Sequence, residues 1–315
     1  MTEWSVTEPV KLAPADPVTR LRVRVVGGAV NVVGTDESTA RVEIAEIEGP
    51  PLIVTQEGST LTVTYEDLHW KGLLKWIDSR AHKRRAVVSV AVPAGAEVEV
   101  GAVTADTVVS GLRGRTEVRG VTGSTTLLGL SGPVRAESVS GPLEAQSVTG
   151  ALRIVSVTGD VTVIEGSGSA VRAETVSGDM VLDLDPAPAG APPADIRLTS
   201  VSGEVAVRLP HPADARVEAS TTSGAVSNAF EDLRVGGEWG AKSLSGTLGA
   251  GSGTLRATTV SGSIALLRRP EAAEDPDGPG GPGGPGGPGG PEAPDTPEAP
   301  DASADSSAPA PGKVL

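Results

Sequence analysis

Leu130-Ser-Gly-Pro-Val-Arg-Ala-Glu-Ser138, Val139-Ser-Gly-Pro-Leu-Glu-Ala-Gln-Ser147, Val148-Thr-Gly-Ala-Leu-Arg-Ile-Val-Ser156 and Val157-Thr-Gly-Asp-Val-Thr-Val-Ile-Glu165 are one nine-residue unit written four times. The approximate consensus is Val-[Ser/Thr]-Gly-x-[Val/Leu]-x-[Ala/Val/Ile]-x-Ser, with apolar residues at positions 1, 5 and 7. Glycine recurs at Gly123, Gly132, Gly141, Gly150, Gly159 and Gly168. Alternation sends Leu143 and Ala145, Leu152 and Ile154, and Val161 and Val163 to one face, and Glu144, Arg153 and Thr162 to the other, which is strand periodicity. Nine is odd, so the inward parity flips once per unit, as at a corner where Ser147 meets Val148. Glycine near that corner supplies a position without a Cβ, and Ser or Thr satisfies nearby backbone groups. A fixed short repeat of this kind predicts units stacked in register, each sharing its core with its neighbours.

Working outward, Val176-Ser177-Gly178, Val201-Ser202-Gly203, Thr222-Ser223-Gly224, Leu244-Ser245-Gly246 and Val260-Ser261-Gly262 repeat the motif at intervals of 25, 21, 22 and 16 residues. Intervals near twice nine plus an insertion suggest two strands per coil with one corner keeping its glycine. The insertions at Pro186 to Pro193 and Pro210-His211-Pro212 read as surface loops. Upstream, Arg20 to Val26, Ala29 to Val33, Arg41 to Ile47, Leu52 to Glu57, Thr60 to Tyr65 and Ala86 to Val92 are β-rich runs between turn residues. They read as strands capping the open edge of the first coil, or alternatively as a separate small β-domain.

The composition agrees with a thin body. The 315 residues include one Phe, one Tyr, four Trp and two Met, while Val, Leu, Ala and Ile supply most of the apolar content. There is no Cys, which excludes disulfides and thiol chemistry. The net charge is −14, of which residues 270 to 315 contribute nine acids against Lys313, so that the tail holds −8 and the body about −6. That balance disfavours nucleic acid as a partner. Repeated Gly-Gly-Pro followed by Pro, Ala, Asp and Ser reads as a disordered acidic tail. The start of the chain has no signal-peptide pattern, and no stretch has the apolar length to span a bilayer, so the sequence predicts a cytoplasmic protein, either free or peripheral to the inner face of the membrane.

Calcium-binding β-rolls need Gly-Gly-x-Gly-x-Asp, whereas here Asp160 and Asp179 follow single glycines and read as turn acids. Arg135, Glu144, Arg153 and Glu174 are the candidates for a charged row of the type used by β-helix enzymes on polysaccharides, and alternating signs read better as a solvated, paired face. His69, His82 and His211 show no metal-ligand spacing, and Gly249-Ala250-Gly251-Ser252-Gly253 reads as a turn. No cofactor, metal site or catalytic residue is expected.

Leu68 to Arg85 departs from the pattern, with six basic residues against Asp78 and two of the four Trp. Trp70, Leu73, Leu74 and Ile77 fall at helical spacing, so one short basic helix is expected there. Trp70, Lys71, Leu73, Leu74, Lys75, Trp76, Ile77, Arg80, Lys83, Arg84 and Arg85 are the candidate contacts with an anionic membrane surface, at about 1 kcal/mol per basic residue, or with a protein partner. The alternative is that the apolar face covers one end of the repeat body.

The Val-Ser-Gly-x-Val units, and above all Leu255-Arg-Ala-Thr-Thr-Val260-Ser-Gly-Ser-Ile-Ala-Leu266, resemble the bacterial DUF4097 family of adhesin-like, toast-rack β-strand-repeat proteins over about residues 20 to 268. The resemblance implies a single-stranded β-helix or β-solenoid without known catalytic residues, in a family whose relatives are associated with bacterial envelope stress. The expectation is therefore an all-β solenoid of short repeats over 101–268, preceded by an arm (1–18) and an N-terminal β cap region (19–100) with one basic helix, and followed by the tail (269–315). Its expected role is a non-enzymatic interaction scaffold. The alternatives are an exported adhesin or carbohydrate binder, and a β-helix carbohydrate-active enzyme.

Overall fold

The computed structural model describes residues 1–66, 84–167, 170–186, 190–237 and 240–269, and these are all strand, turn and loop. The regular part runs from β9 to β20. Before it come β1 (Thr2–Val6), β2 (Val10–Leu12), β3 (Arg20–Val25), β4 (Gly27–Thr35), β5 (Arg41–Glu48), β6 (Leu52–Glu57), β7 (Thr60–Tyr65) and β8 (Arg85–Pro93). The regular strands are β9 (Glu97–Ala102), β10 (Asp106–Ser110), β11 (Thr116–Gly120), β12 (Thr125–Leu128), β13 (Val134–Ser138) and β14 (Leu143–Gln146), then β15 (Leu152–Ser156), β16 (Val161–Gly166), β17 (Ala170–Ser177), β18 (Met180–Leu184), β19 (Asp195–Ser202) and β20 (Val205–Leu209). After them come β21 (Ala215–Thr221), β22 (Val226–Asn228), β23 (Leu233–Gly236), β24 (Lys242–Leu248), β25 (Gly253–Thr259) and β26 (Ile264–Arg268).

From β9 to β20 the odd strands enter one sheet and the even strands the other, all in parallel ladders. Up to β15 and β16 partners lie eighteen residues apart, as in Val134 opposite Leu152 and Leu143 opposite Val161, and beyond them the insertions widen the interval to 19 at Leu152 and Val171 and to 25 at Val171 and Ile196. One nine-residue unit is thus one strand and one corner, and two units make a coil. Inward residues form columns along the stack. Val134, Leu152, Val171, Ile196, Leu255 and Val217 make one such column, and Ala136, Ile154, Ala173, Leu198, Ala257 and Ala219 the next. All of these side chains are buried. The core is a thin aliphatic layer between two sheets, which suits a chain with so few aromatic residues.

The two corners use the same letters differently. At the first, Val139 and Val157 stand exposed, and the Ser140 and Thr158 hydroxyls donate to the carbonyls of Val121 and Val139 on the preceding coil at 3.1 and 3.0 Å. The buried Ser138 and Ser156 hydroxyls each accept the N–H of the corner glycine three residues on, at 3.1 Å. Glycines 123, 141, 159, 178, 203, 262 and 224 stack directly over one another, so close that a Cβ on any of them meets the backbone of the coil beneath. At the second corner Leu112, Leu130 and Val148 are buried instead. The residue before each, Gly111, Gly129 or Ser147, has a positive φ of 68°, 59° or 53°. That left-handed residue turns the next side chain into the core. Gly129 has open space where a Cβ would stand, so Gly129→Ala meets no clash and costs only the left-handed conformation imposed on an L residue, about 1 kcal/mol, a fall of roughly 2–4 °C in Tm by circular dichroism.

Both ends depart from coil order. β7 and β8 lie outside β3 and β4 in parallel, and β6 and β5 add to them in antiparallel. β1 and β2, from the segment expected to be an arm, form the outermost edge of each sheet. All six upstream strands expected from the sequence are present, and β3 and β4 pair directly with β9 and β10. At the other end β25 and β26 insert between β19 and β21 and between β20 and β22. Leu244-Ser245-Gly246, read as a further repeat, sits instead in mid-strand, because β24 pairs antiparallel with β21 and β23.

The short basic helix is not part of this fold as described. Arg85 already belongs to β8, where it pairs with Glu48 of β5, so strand pairing ends any helix before it. Residues 67–83, which hold all of that segment except Arg84 and Arg85, lie outside the described residues, as does the expected disordered tail from residue 270 onward.

Candidate functional site

The outward columns of the longer sheet carry its chemistry. One residue after the first inward column the register aligns Glu99, Glu117, Arg135, Arg153, Arg172, Arg197, Arg256 and Glu218. Five arginines therefore stand on consecutive strands, about 4.8 Å apart, with glutamates closing the row at both ends. Like charges directly opposite one another are unfavourable. Acids in the adjoining columns and at the row's end offset this. Glu137 accepts from Arg135 Nε at 2.9 Å, Glu174 from Arg153 Nη2 at 3.0 Å, and Glu218 from Arg256 Nε at 3.2 Å. Asp195 lies 3.1 Å from Arg197 and 3.6 Å from Arg172. Its carboxyl is held below the usual range first by the Thr254 hydroxyl and then by the two guanidiniums.

On the side where these strands begin, the column beside the row contains Pro133, Ala151 and Ala170. Those small side chains leave a groove of about 300 Å³, lined by Arg115, Arg135, Arg153 and Arg172 with no acid in its wall. The Nε of Arg153 is buried without a hydrogen-bond acceptor. In a chain of net charge −14 this is a localised cationic surface, held by parallel strands of the longer sheet.

Of the four residues expected as a charged row, Arg135 and Arg153 are in register, Glu174 pairs with Arg153 from the next column, and Glu144 lies on the other sheet. Arg172, Arg197 and Arg256 were missed because the insertions make their spacing irregular. A signal was present: each of the five arginines stands six residues before a corner glycine, at 141, 159, 178, 203 and 262. Asp160 and Asp179, read as turn acids, link coils, accepting the N–H of Asp179 and of Glu204 at 2.9 and 2.7 Å.

Trp70, Lys71, Leu73, Leu74, Lys75, Trp76, Ile77, Arg80 and Lys83 lie outside the described residues. Arg84 stands over the ring of the buried Tyr65 at 5.6 Å, and Arg85 lies 3.8 Å from Glu46. Burial pushes the Tyr65 hydroxyl pKa up, against the opposing pull of Arg84. Among the described residues no His, Asp and Glu cluster has the arrangement of a metal site, and no helix is long and apolar enough to cross a membrane.

The family model described as Toastrack DUF4097 matches residues 19–267, and the chain belongs to that family. No curated protein matches the sequence. Among solved structures the chain is similar to a putative cell adhesion protein from Clostridium sporogenes, at 11% identity over 83% of this chain and 100% of the other, with a TM-score of 0.25. It is also similar to a putative adhesin from Bacteroides fragilis (10% identity, 84% and 98% covered, TM-score 0.41). A third is a putative lipid binding protein from Parabacteroides distasonis (12% identity, 84% and 98% covered, TM-score 0.38).

Proposed function

We propose that this toastrack protein is a non-enzymatic interaction scaffold whose binding surface is the arginine-laddered outer face of the longer sheet, and whose partner is anionic. The observation that supports this most is the register of Arg135, Arg153, Arg172, Arg197 and Arg256 beside a groove whose charged lining residues are all arginines. Guanidiniums concentrated on one face create a local potential opposite in sign to the net charge and steer an anion to it. Most of the donors on each guanidinium remain for a second acceptor after one carboxylate is bound.

A second reading has the anionic partner as the inner membrane surface, met by the basic segment Leu68 to Arg85. Arg85, whose side chain is 60% exposed at the root of that segment, favours it. The two readings separate on a cation-exchange matrix at pH 7 and low salt, where a protein of pI about 4.7 would otherwise flow through. Retention of the native protein, and its loss in Arg135→Gln/Arg153→Gln/Arg172→Gln, is the expected result. Flow-through of the native protein overturns the cationic-face reading. Retention that survives the triple change and disappears when Lys83, Arg84 and Arg85 become glutamine moves the surface to the basic segment.

A further inference from the structure

Resting on the cationic-face reading, we infer that the ladder from Arg135 to Arg256 binds a linear phosphate polymer, inorganic polyphosphate, laid along the stacking axis of the coils. The five rungs span about 19 Å at one guanidinium per strand. Guanidinium presents a planar fork that matches phosphate oxygens two at a time. Arg153 and Arg172 are well placed for this, with side chains 39% and 45% exposed along the groove and one carboxylate neighbour each.

The surroundings select among polyanions. Sugars and nucleobases are held by stacking on aromatic rings, and the columns flanking the ladder offer none: one holds Pro133, Ala151, Ala170, Asp195 and Thr254, the other Glu137, Val155, Glu174, Thr199 and Thr258. An acidic peptide in extended form presents side chains to one face only every ~6.7 Å, out of step with rungs ~4.8 Å apart. A bare phosphate chain bears charge on every unit and has no side-chain period to mismatch. The glutamates at both ends of the row, Glu117 and Glu218, confine it to the five-arginine block.

Isothermal titration of the full chain tests this. The probes are long-chain polyphosphate, orthophosphate, poly-L-glutamate and phosphatidylglycerol vesicles. Polyphosphate is expected to bind with a log–log salt slope of about −3, as for four phosphates neutralised on a single strand. Arg153→Gln weakens it roughly tenfold, Arg153→Lys weakens it less, and Arg234→Gln on β23 leaves it unchanged, with all three variants melting like the native protein. Unchanged affinity in Arg153→Gln overturns the site. Poly-L-glutamate or vesicles binding as tightly as polyphosphate overturn the choice of polymer and leave the cationic face standing. Orthophosphate binding as tightly as the polymer overturns the ladder as a multivalent site. If the triple glutamine variant is retained on the cation exchanger like the native protein, the face and the polymer fall together.

Discussion

Val148→Asp unfolds the protein or destabilises it by about 4 kcal/mol or more, while Val157→Asp costs less than about 1 kcal/mol. Both residues open a nine-residue unit and precede Thr-Gly. Val148 is 2% exposed in the second corner, and Val157 is 40% exposed in the first. At the second corner the left-handed Ser147 swings Val148 into the space between the sheets, where a carboxylate finds neither water nor a cation. At the first corner Val157 continues the outward alternation, and its backbone rather than its side chain holds the coil, through its carbonyl to the N–H of Ser177 at 2.8 Å. Chemical denaturation of the two variants side by side is the measurement. Equal losses would show that the units are interchangeable and that the eighteen-residue alternation is not the true repeat.

Gly141→Ala is expected to cost about 3 kcal/mol, which for a body of this size is a fall of roughly 6–12 °C in Tm. The added Cβ would stand 1.9 Å from the carbonyl oxygen of Gly123 and 2.7 Å from its carbon. Both are backbone atoms, so no side chain can swing aside. Relief requires lifting one coil from the next, against the Ser140 N–H and hydroxyl bonds to Val121 at 2.8 and 3.1 Å. The conformation itself is not the obstacle, since Gly141 lacks the positive φ of Gly129. Gly95, which has nothing within 4 Å of a Cβ, is the control, and Gly95→Ala should melt within about 2 °C of the native protein. If Gly141→Ala behaves as Gly95→Ala does, the glycine column is not in close contact.

The two substitutions separate what repetition encodes from what assembly decides. Leu152, Ile154 and Ser156 announce a strand with one buried face, because alternation is a local property of neighbouring residues, and the same holds for each upstream strand from Arg20 to Val92. Glycine after Val-Ser marks the corners, because only a residue without a Cβ fits beneath the next coil. The arginine row was only partly legible: Arg135 and Arg153 are one coil apart, whereas Arg197 and Arg256 lie fifty-nine residues apart in the chain and on neighbouring strands in the sheet.

The nine-residue period, the strands and the corners are thus determined by the sequence alone. The tertiary structure decided that a buried and an exposed valine alternate at position 1, that β25 and β26 insert ahead of β21 and β22, and that five arginines meet on one face. The physical reason is degeneracy. Val217, Ala219 and Thr221 present the same inward pattern as Leu255, Ala257 and Thr259, so local periodicity cannot rank the two coils for one slot, and only the summed pairing of both edges and both sheets does.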